Sequence, residues 1–197
     1  MLVDSLVNDI RSMGGDVICN AGVEELIEQD GKLVAALTVN GDRYEADWFI
    51  SDTHPAVTVD LVKESTRIKK VFRRRIHSLS NTYGMYTVSL IIKPNTLKYF
   101  NWNQYIYKKP NVWTYYLDNE PVSGVLVCCR VPEEGSEYTR YVDIVTPMPW
   151  DKVAQWSDTT VGHRGDEYRA FKERKADECI ALAETFIPGL RDMVEAR

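Results

Sequence analysis

The sequence predicts an α+β fold in which a small α/β-related piece precedes a larger domain with a mixed or antiparallel sheet and flanking helices. Two observations predict it. In the first 60 residues, a short amphipathic helix is followed by hairpin-forming strands. Later, a stretch rich in tyrosine, tryptophan, valine and threonine precedes a long helical pattern. We therefore expect two domains, residues 1–60 and residues 61–197.

An amphipathic helix is predicted at the start of the chain. Its apolar residues recur at helical spacing, and glycines at 14 and 15 follow where such a helix would end. These apolar residues are Leu2, Leu6 and Ile10. Short apolar runs beside glycine or asparagine then predict strands at 16–19, 23–28, 33–39, 42–44 and 48–50. Asp30-Gly31 and Asn40-Gly41 are hairpin signals, so the middle three strands form an antiparallel meander.

The predicted secondary structure changes from strands to helices at His54-Pro55. Residues 56–62 and 67–79 are predicted to be helical, and Pro55 suits the first turn of the first helix. Strands of one antiparallel sheet are then predicted at 84–92, 103–107, 112–117, 123–131 and 139–146. A helical stretch near Trp150 and a long helix over 166–186, closed by Pro188-Gly189, follow.

Composition narrows the class of protein. The apolar fraction of 44% and charged fraction of 27% are those of a globular chain. A net charge of −5 gives no general attraction for nucleic acid, and no nucleic-acid partner is expected. The four cysteines form no CxxC pair, which favours a reducing cytoplasm over a disulfide framework.

The sequence contains no recognisable catalytic constellation. The three histidines are far apart, none at metal-ligand spacing with another histidine or a cysteine, so no metal site is expected. No G-x-S-x-G elbow is present, which argues against hydrolase chemistry. Cys128 and Cys129 lie in a strand pattern and point to opposite faces. No side chain is therefore assigned as a catalytic acid, base or nucleophile.

The segment from Gly14 to Pro55 carries a family resemblance. Its order is the glycine pair, Val17, Val23, two hairpin turns, and then the run EADWFISDTHP, which ends at Pro55. This order resembles the flavin-binding half of the phytoene desaturase, carotenoid isomerase and retinol saturase type in the flavin amine-oxidase superfamily. The aromatic sheet and the helix ending in AETFIPGL are similar, with lower specificity, to the substrate domain of the carotenoid-type members.

The resemblance implies FAD as the cofactor. Val23 matches the position whose backbone meets the adenine, where an extended strand offers one N–H and one C=O. Ser51, Asp52 and Thr53 follow a buried-looking strand and would line the cofactor side. An alternative interpretation is that Asp52 or Thr53 caps the helix that begins at Pro55.

Two departures from the family pattern bear on activity. The chain has no G-x-G-x-x-G after an N-terminal strand and no glycine-rich C-terminal flavin motif. We therefore expect a middle fragment of an FAD-dependent oxidoreductase acting on an isoprenoid or other apolar substrate, inactive without its flanking segments. Its N-terminal helix stripe and residues 48–50 should be exposed, or covered by a neighbouring copy in a homo-oligomer. The alternative is a non-enzymatic α+β module that binds an apolar ligand or a protein.

Two surfaces could contact partners. The basic run Arg67–Arg75 is interpreted first as a solvated helix face and second as a contact for a membrane surface. The densest aromatic region spans 83–116 and suits the wall of an apolar pocket, although strand packing explains most of it equally well. Strand alternation would place Trp113 and Tyr115 on one face and Tyr116 on the other.

Overall fold

The computed structural model describes residues 2–118 and 120–197, which contain two antiparallel sheets and separate helices. The predicted α+β class is thereby confirmed. The chain divides into two compact units, the first ending at Ser80 and the second beginning at Asn81. The boundary expected after residue 60 therefore lies inside the first unit.

The first unit contains a helix, a three-stranded meander and two further helices. In chain order these are α1 (Leu2–Ser12), β1 (Val23–Gln29), β2 (Lys32–Thr38), β3 (Arg43–Glu45), α2 (Pro55–Leu61) and α3 (Lys70–His77). The sheet order is β1-β2-β3. Asp30 and Gly31 have φ values of 50° and 76°, as a tight hairpin turn requires. The Gly15 amide donates to the carbonyl of Ile10 at 3.0 Å, so the glycine pair ends α1 as predicted.

Two predicted strands of the first unit are wrong. Residues 16–19 and 48–50 form no strand in the structure. A strand persists only when a neighbour accepts its hydrogen bonds, and within the described part of the chain neither segment has one. Both segments therefore leave apolar side chains exposed, including Ile18 and Ile50.

Polar contacts hold α2 and α3 in the first unit. Lys63 Nζ lies 2.9 Å from Glu25 Oε2 of β1. The Glu28 carboxylate accepts a hydrogen bond from the Thr66 amide at 2.7 Å and another from Ser65. Arg73 of α3 donates to backbone carbonyls at the end of α2. These contacts explain why the boundary falls about 20 residues later than the sequence pattern suggests.

The second unit is a five-stranded antiparallel sheet with one long helix. Its elements are β4 (Gly84–Ile92), β5 (Gln104–Tyr107), β6 (Gly124–Cys129), β7 (Tyr141–Met148), α4 (Gly165–Ala183), α5 (Leu190–Met193) and β8 (Val194–Ala196). The strand order is β5-β6-β7-β4-β8. Helix α4 packs against β6 and β7, and between them lies the main core. Its most buried members include Leu90, Ile92, Val127, Val142, Ile144, Cys179 and Ala183.

The strand predicted at 112–117 is also wrong. Its residues form a turn followed by a 3-10 helix, Tyr115–Asp118. The Tyr115 ring packs edge-on against Tyr107, with centroids 5.0 Å apart, over the bare backbone of Gly124. Residues 112–117 therefore add no sixth strand to the sheet, and Trp113, Tyr115 and Tyr116 do not alternate between two sheet faces.

Candidate functional site

Val23, the expected adenine contact, begins β1 at the edge of the meander. Its register partner is Thr38 of β2, and the preceding Gly22 carbonyl accepts from the Val39 amide at 2.8 Å. Because β1 is an edge strand, half of its backbone N–H and C=O groups face away from β2. The side chain of Val23 is partly exposed.

Ser51 and Thr53 meet in a hydroxyl cluster together with Thr58 of α2. The Ser51 hydroxyl lies 2.7 Å from that of Thr58 and 3.1 Å from that of Thr53, and the two threonine hydroxyls lie 2.8 Å apart. Among described residues, no hydrogen bond joins this cluster to Val23. The structure therefore brings together two of the four predicted cofactor residues.

The helix-capping alternative for Asp52 and Thr53 is wrong. The N-cap of α2 is His54, whose Nδ1 accepts a hydrogen bond from the Ala56 amide at 3.2 Å. The residue before a proline is pushed into an extended conformation, and His54 has φ −53° and ψ 135°. Pro55 is the first helical residue, so the cap must be its immediate neighbour.

The first unit contains an open groove of about 1070 Å³ that was not predicted from the sequence. Charged side chains of both signs and two aromatic rings line it. They include Lys32, Arg43, Glu45, Asp47, Trp48 and Phe49. None of the four predicted cofactor residues lies among the lining residues. Most of its lining residues belong to β2, to β3 and to residues 46–49, which follow β3.

One face of the five-stranded sheet lies opposite the α4 core. Register places Tyr105, Leu126, Val145 and Thr87 in one row across four strands of this face. Tyr105 is largely exposed, and Leu126 and Val145 are half-buried. The face also carries exposed Met85. It is therefore a mixed surface with substantial apolar area.

An ion pair lies in the next row of that face. Asp143 accepts from Ser89 Oγ at 2.6 Å and from Arg130 Nε at 2.9 Å. Burial of Asp143 raises its pKa, but the hydrogen bonds from Arg130 and Ser89 outweigh burial, so the pKa lies below its usual value. A cavity of about 280 Å³ opens beside this pair and is also lined by Tyr141 and Arg197.

Three cysteines of the second unit are poor nucleophiles. Burial raises the pKa of Cys129 to about 11 and that of Cys179 to about 12. Burial also raises the pKa of Cys128. A thiol with a pKa of about 11 or 12 is protonated at neutral pH, so Cys129 and Cys179 supply no reactive thiolate.

Lys175 of α4 forms a buried ionic cluster that the sequence reading missed. Its side chain is 1% exposed, and its Nζ lies 2.7 Å from Glu120 Oε2 and 2.9 Å from Glu178 Oε2. Glu178 Oε2 also accepts from the Val122 amide at 3.0 Å. The sequence feature that could have predicted burial of Lys175 is its spacing. It lies four residues from both Phe171 and Cys179, on the apolar stripe of a long helix.

No described helix has the length and apolar character needed to cross a bilayer. Within residues 2–118 and 120–197, no group of three or more histidine, cysteine, aspartate or glutamate side chains is arranged to hold a metal ion.

No protein-family model matches this chain, and no curated protein matches it with a significant score.

Proposed function

We propose that this chain is a middle portion of an FAD-dependent oxidoreductase that acts on an isoprenoid or other apolar substrate. The first unit would contribute to the cofactor side and the second to the substrate side. The observation that carries the proposal is the set of apolar elements in the first unit that have no partner among the described residues.

These elements have the character of buried α/β structure. Trp48 is 88% exposed and Ile50 99% exposed, although continuous apolar runs are typical of strands covered on both faces. No described residue of α1 is buried, and its apolar stripe faces solvent. A parallel sheet supplied by further parts of the polypeptide would accept residues 16–19 and 48–50 as strands and would cover α1.

The adenine-side role of Val23 is supported by its place on an edge strand. An exposed backbone edge offers the paired donor and acceptor that adenine requires, and valine adds an apolar wall. The hydroxyl cluster of Ser51, Thr53 and Thr58 adds polar groups beside the start of α2. Together these residues would bind and orient one end of FAD.

The substrate-side role of the second unit is supported by the open face of its sheet. Tyr105, Met85 and Tyr141 present exposed apolar area, which suits a long apolar molecule with few hydrogen-bonding groups. When bound, the flavin supplies the hydride chemistry, and the protein positions the substrate. No side chain of this chain is assigned a proton-transfer role.

Flavin binding tests the proposal. The 197-residue chain would retain the proposed adenine contact, but it has no glycine loop for the pyrophosphate. It should therefore purify colourless and bind FAD with a dissociation constant on the order of a millimolar or weaker. A longer gene product containing G-x-G-x-x-G should purify yellow, and Val23→Asp should lower its flavin content. Absorbance scans and flavin fluorescence titrations measure both.

Two outcomes would contradict the proposal. One is a natural gene product with no nucleotide-binding motif beyond these 197 residues. The other is a longer product that contains the motif but takes up no flavin. In either case the alternative gains support: a non-enzymatic module whose open sheet face, around Tyr105 and Met85, holds an apolar ligand or a protein.

We further propose that helix α3 contacts an anionic membrane surface. Arg73 and Ile76 are partly buried and attach α3 to the unit, whereas Val71 and Phe72 are exposed beside the exposed Arg74 and Arg75. Exposed apolar side chains among cations suit a helix lying in a lipid interface. The solvated helix face remains the alternative.

Vesicle sedimentation distinguishes these alternatives. The Arg74→Gln, Arg75→Gln double variant should bind phosphatidylserine-containing vesicles about fivefold more weakly for each charge removed, since one basic residue near such a surface contributes about 1 kcal/mol. Lys152→Gln removes a cation from the second unit and should change binding little. Equal binding to phosphatidylcholine vesicles, or no effect of the double variant, would favour the solvated face.

A further inference from the structure

A cavity of about 410 Å³ lies beside the first turns of α4 in the second unit. Its lining contains three cationic side chains and no carboxylate. The lining includes Gly162, Arg164, Gly165, Tyr168, Arg169 and Lys172. A Cβ atom built on either glycine would meet no heavy atom within 4 Å, so the backbone is open on this side. The cavity is independent of the flavin proposal.

Two of the three cations are not neutralised by acids. Arg169 Nη1 lies 3.1 Å from Asp166 Oδ1, which balances its charge. By contrast, neither Arg164 nor Lys172 forms an ion pair with a carboxylate in the part of the chain that the structure describes. Two unbalanced positive charges therefore border one concave space.

The Arg164 guanidinium is held in place by packing. It lies over the Tyr168 ring, 4.9 Å from the centroid, and its Nη1 donates to the Tyr168 hydroxyl at 3.1 Å. Tyr168 in turn packs edge-on against Trp156, with centroids 5.2 Å apart. Arg164 Nε is buried, and no described residue accepts a hydrogen bond from it. Leaving a buried donor without an acceptor is costly in a folded protein.

Lys172 approaches the same ring from the next turn of α4. Its Nζ lies 5.9 Å from the Tyr168 centroid, so Arg164 and Lys172, one turn before and one turn after Tyr168, both lie near its ring. The backbone carbonyl of Lys172 accepts from Tyr86 Oη at 2.7 Å, which ties this turn of the helix to β4. Both cations are therefore carried by a helix fixed to the sheet.

We propose that this cavity binds the phosphate group of a small phosphorylated molecule. A guanidinium offers N–H donors in a fixed fork that matches phosphate oxygens, and an ammonium adds a compact second charge. The volume lies within the range of small-molecule sites. The phosphate would accept from Arg164 and Lys172 while Tyr168 holds Arg164 in position.

Calorimetric titration with inorganic phosphate at constant ionic strength tests this site. Binding is expected with a dissociation constant on the order of a millimolar. Lys172→Gln and Arg164→Gln should each weaken it about tenfold, the loss typical of one charge-assisted hydrogen bond. Arg174→Gln is the matched control, because Arg174 lies on the same helix over Phe171 and outside the cavity lining.

Thermal unfolding of each variant shows whether it is folded. If Arg164→Gln does not fold, the phosphate titration of Lys172→Gln decides the test. Sodium acetate at the same ionic strength is the anion control. No phosphate binding, equal heats with acetate, or equal weakening in Arg174→Gln would each overturn the assignment. Phosphate binding that is lost only in the cavity variants supports it.

Discussion

Replacing Lys175 with methionine is expected to lower the free energy of unfolding by about 3 kcal/mol at neutral pH. Methionine fills a similar volume, but the change leaves Glu178 and Glu120 facing each other without their cation. Glu178 is the costlier of the two because its side chain is only 20% exposed. Urea unfolding followed by circular dichroism measures the change.

Two further variants isolate the cause of this loss. Lys152 and Lys175 both line a cavity of about 50 Å³. Among the described residues Lys152 pairs only with adjacent Asp151, so Lys152→Met should cost less than about 0.5 kcal/mol. Adding Glu120→Gln and Glu178→Gln to Lys175→Met should recover much of the stability, because no buried charge then remains unpaired. A triple variant no more stable than Lys175→Met would show that packing, not charge, explains the loss.

The pH dependence of the Lys175 effect has a definite sign. Burial raises the pKa of Glu178, but hydrogen bonds from Lys175 and from the Val122 amide bring it below its ordinary value of 4.5. The native protein should therefore lose this contribution as the pH falls below about 4.5. In Lys175→Met the carboxyl pKa should rise instead, so protonation relieves the repulsion and the difference between the two proteins should shrink in acid.

Gly124→Val is expected to destabilise the protein by about 1–3 kcal/mol through overpacking. A Cβ atom at residue 124 would lie 2.5 Å from Tyr115 Cε2 and 2.9 Å from Tyr107 Cδ1. Gly124 is buried in β6, and its carbonyl accepts from Thr146 Oγ1 at 2.7 Å, so its backbone cannot easily move. Thermal or urea unfolding measures the loss.

A double-mutant cycle checks that the ring of Tyr115 is responsible. In a Tyr115→Ala background, Gly124→Val should cost clearly less than it does alone, because the nearest clashing atoms are gone. Gly135→Val provides a comparison at a glycine with open space around it, although its φ of 85° adds backbone strain of its own. Equal costs of Gly124→Val in both backgrounds would contradict the packing explanation.

The sequence correctly predicted the helices, strands and turns whose determinants lie within a few neighbouring residues. The turn dipeptide Asp30-Gly31, the glycine end of α1 and the strand-forming composition of residues 84–92 each act within a few residues, so the sequence identified these elements. Of the predicted cofactor residues, Ser51 and Thr53 lie near each other because they are close in the chain. Their partner Thr58 was not identified, since it enters only when α2 forms.

The failed predictions depended on residues distant in sequence. Residues 48–50 have the composition of a buried strand, but composition does not supply the neighbour that accepts their hydrogen bonds. Strand β8 was missed for the converse reason: its three residues have little intrinsic signal and become a strand by pairing with Ile91 and Ile92.

The sequence by itself therefore determined the α+β class, the meander, the antiparallel sheet and its long helix, because periodicity and turn residues encode local backbone choices. Only the tertiary structure decided where the two units divide, how Tyr115 packs over Gly124, and that Lys175 is buried between two glutamates. Each of these features depends on which surfaces meet when burial and charge pairing are satisfied together, and that is a property of the packed chain.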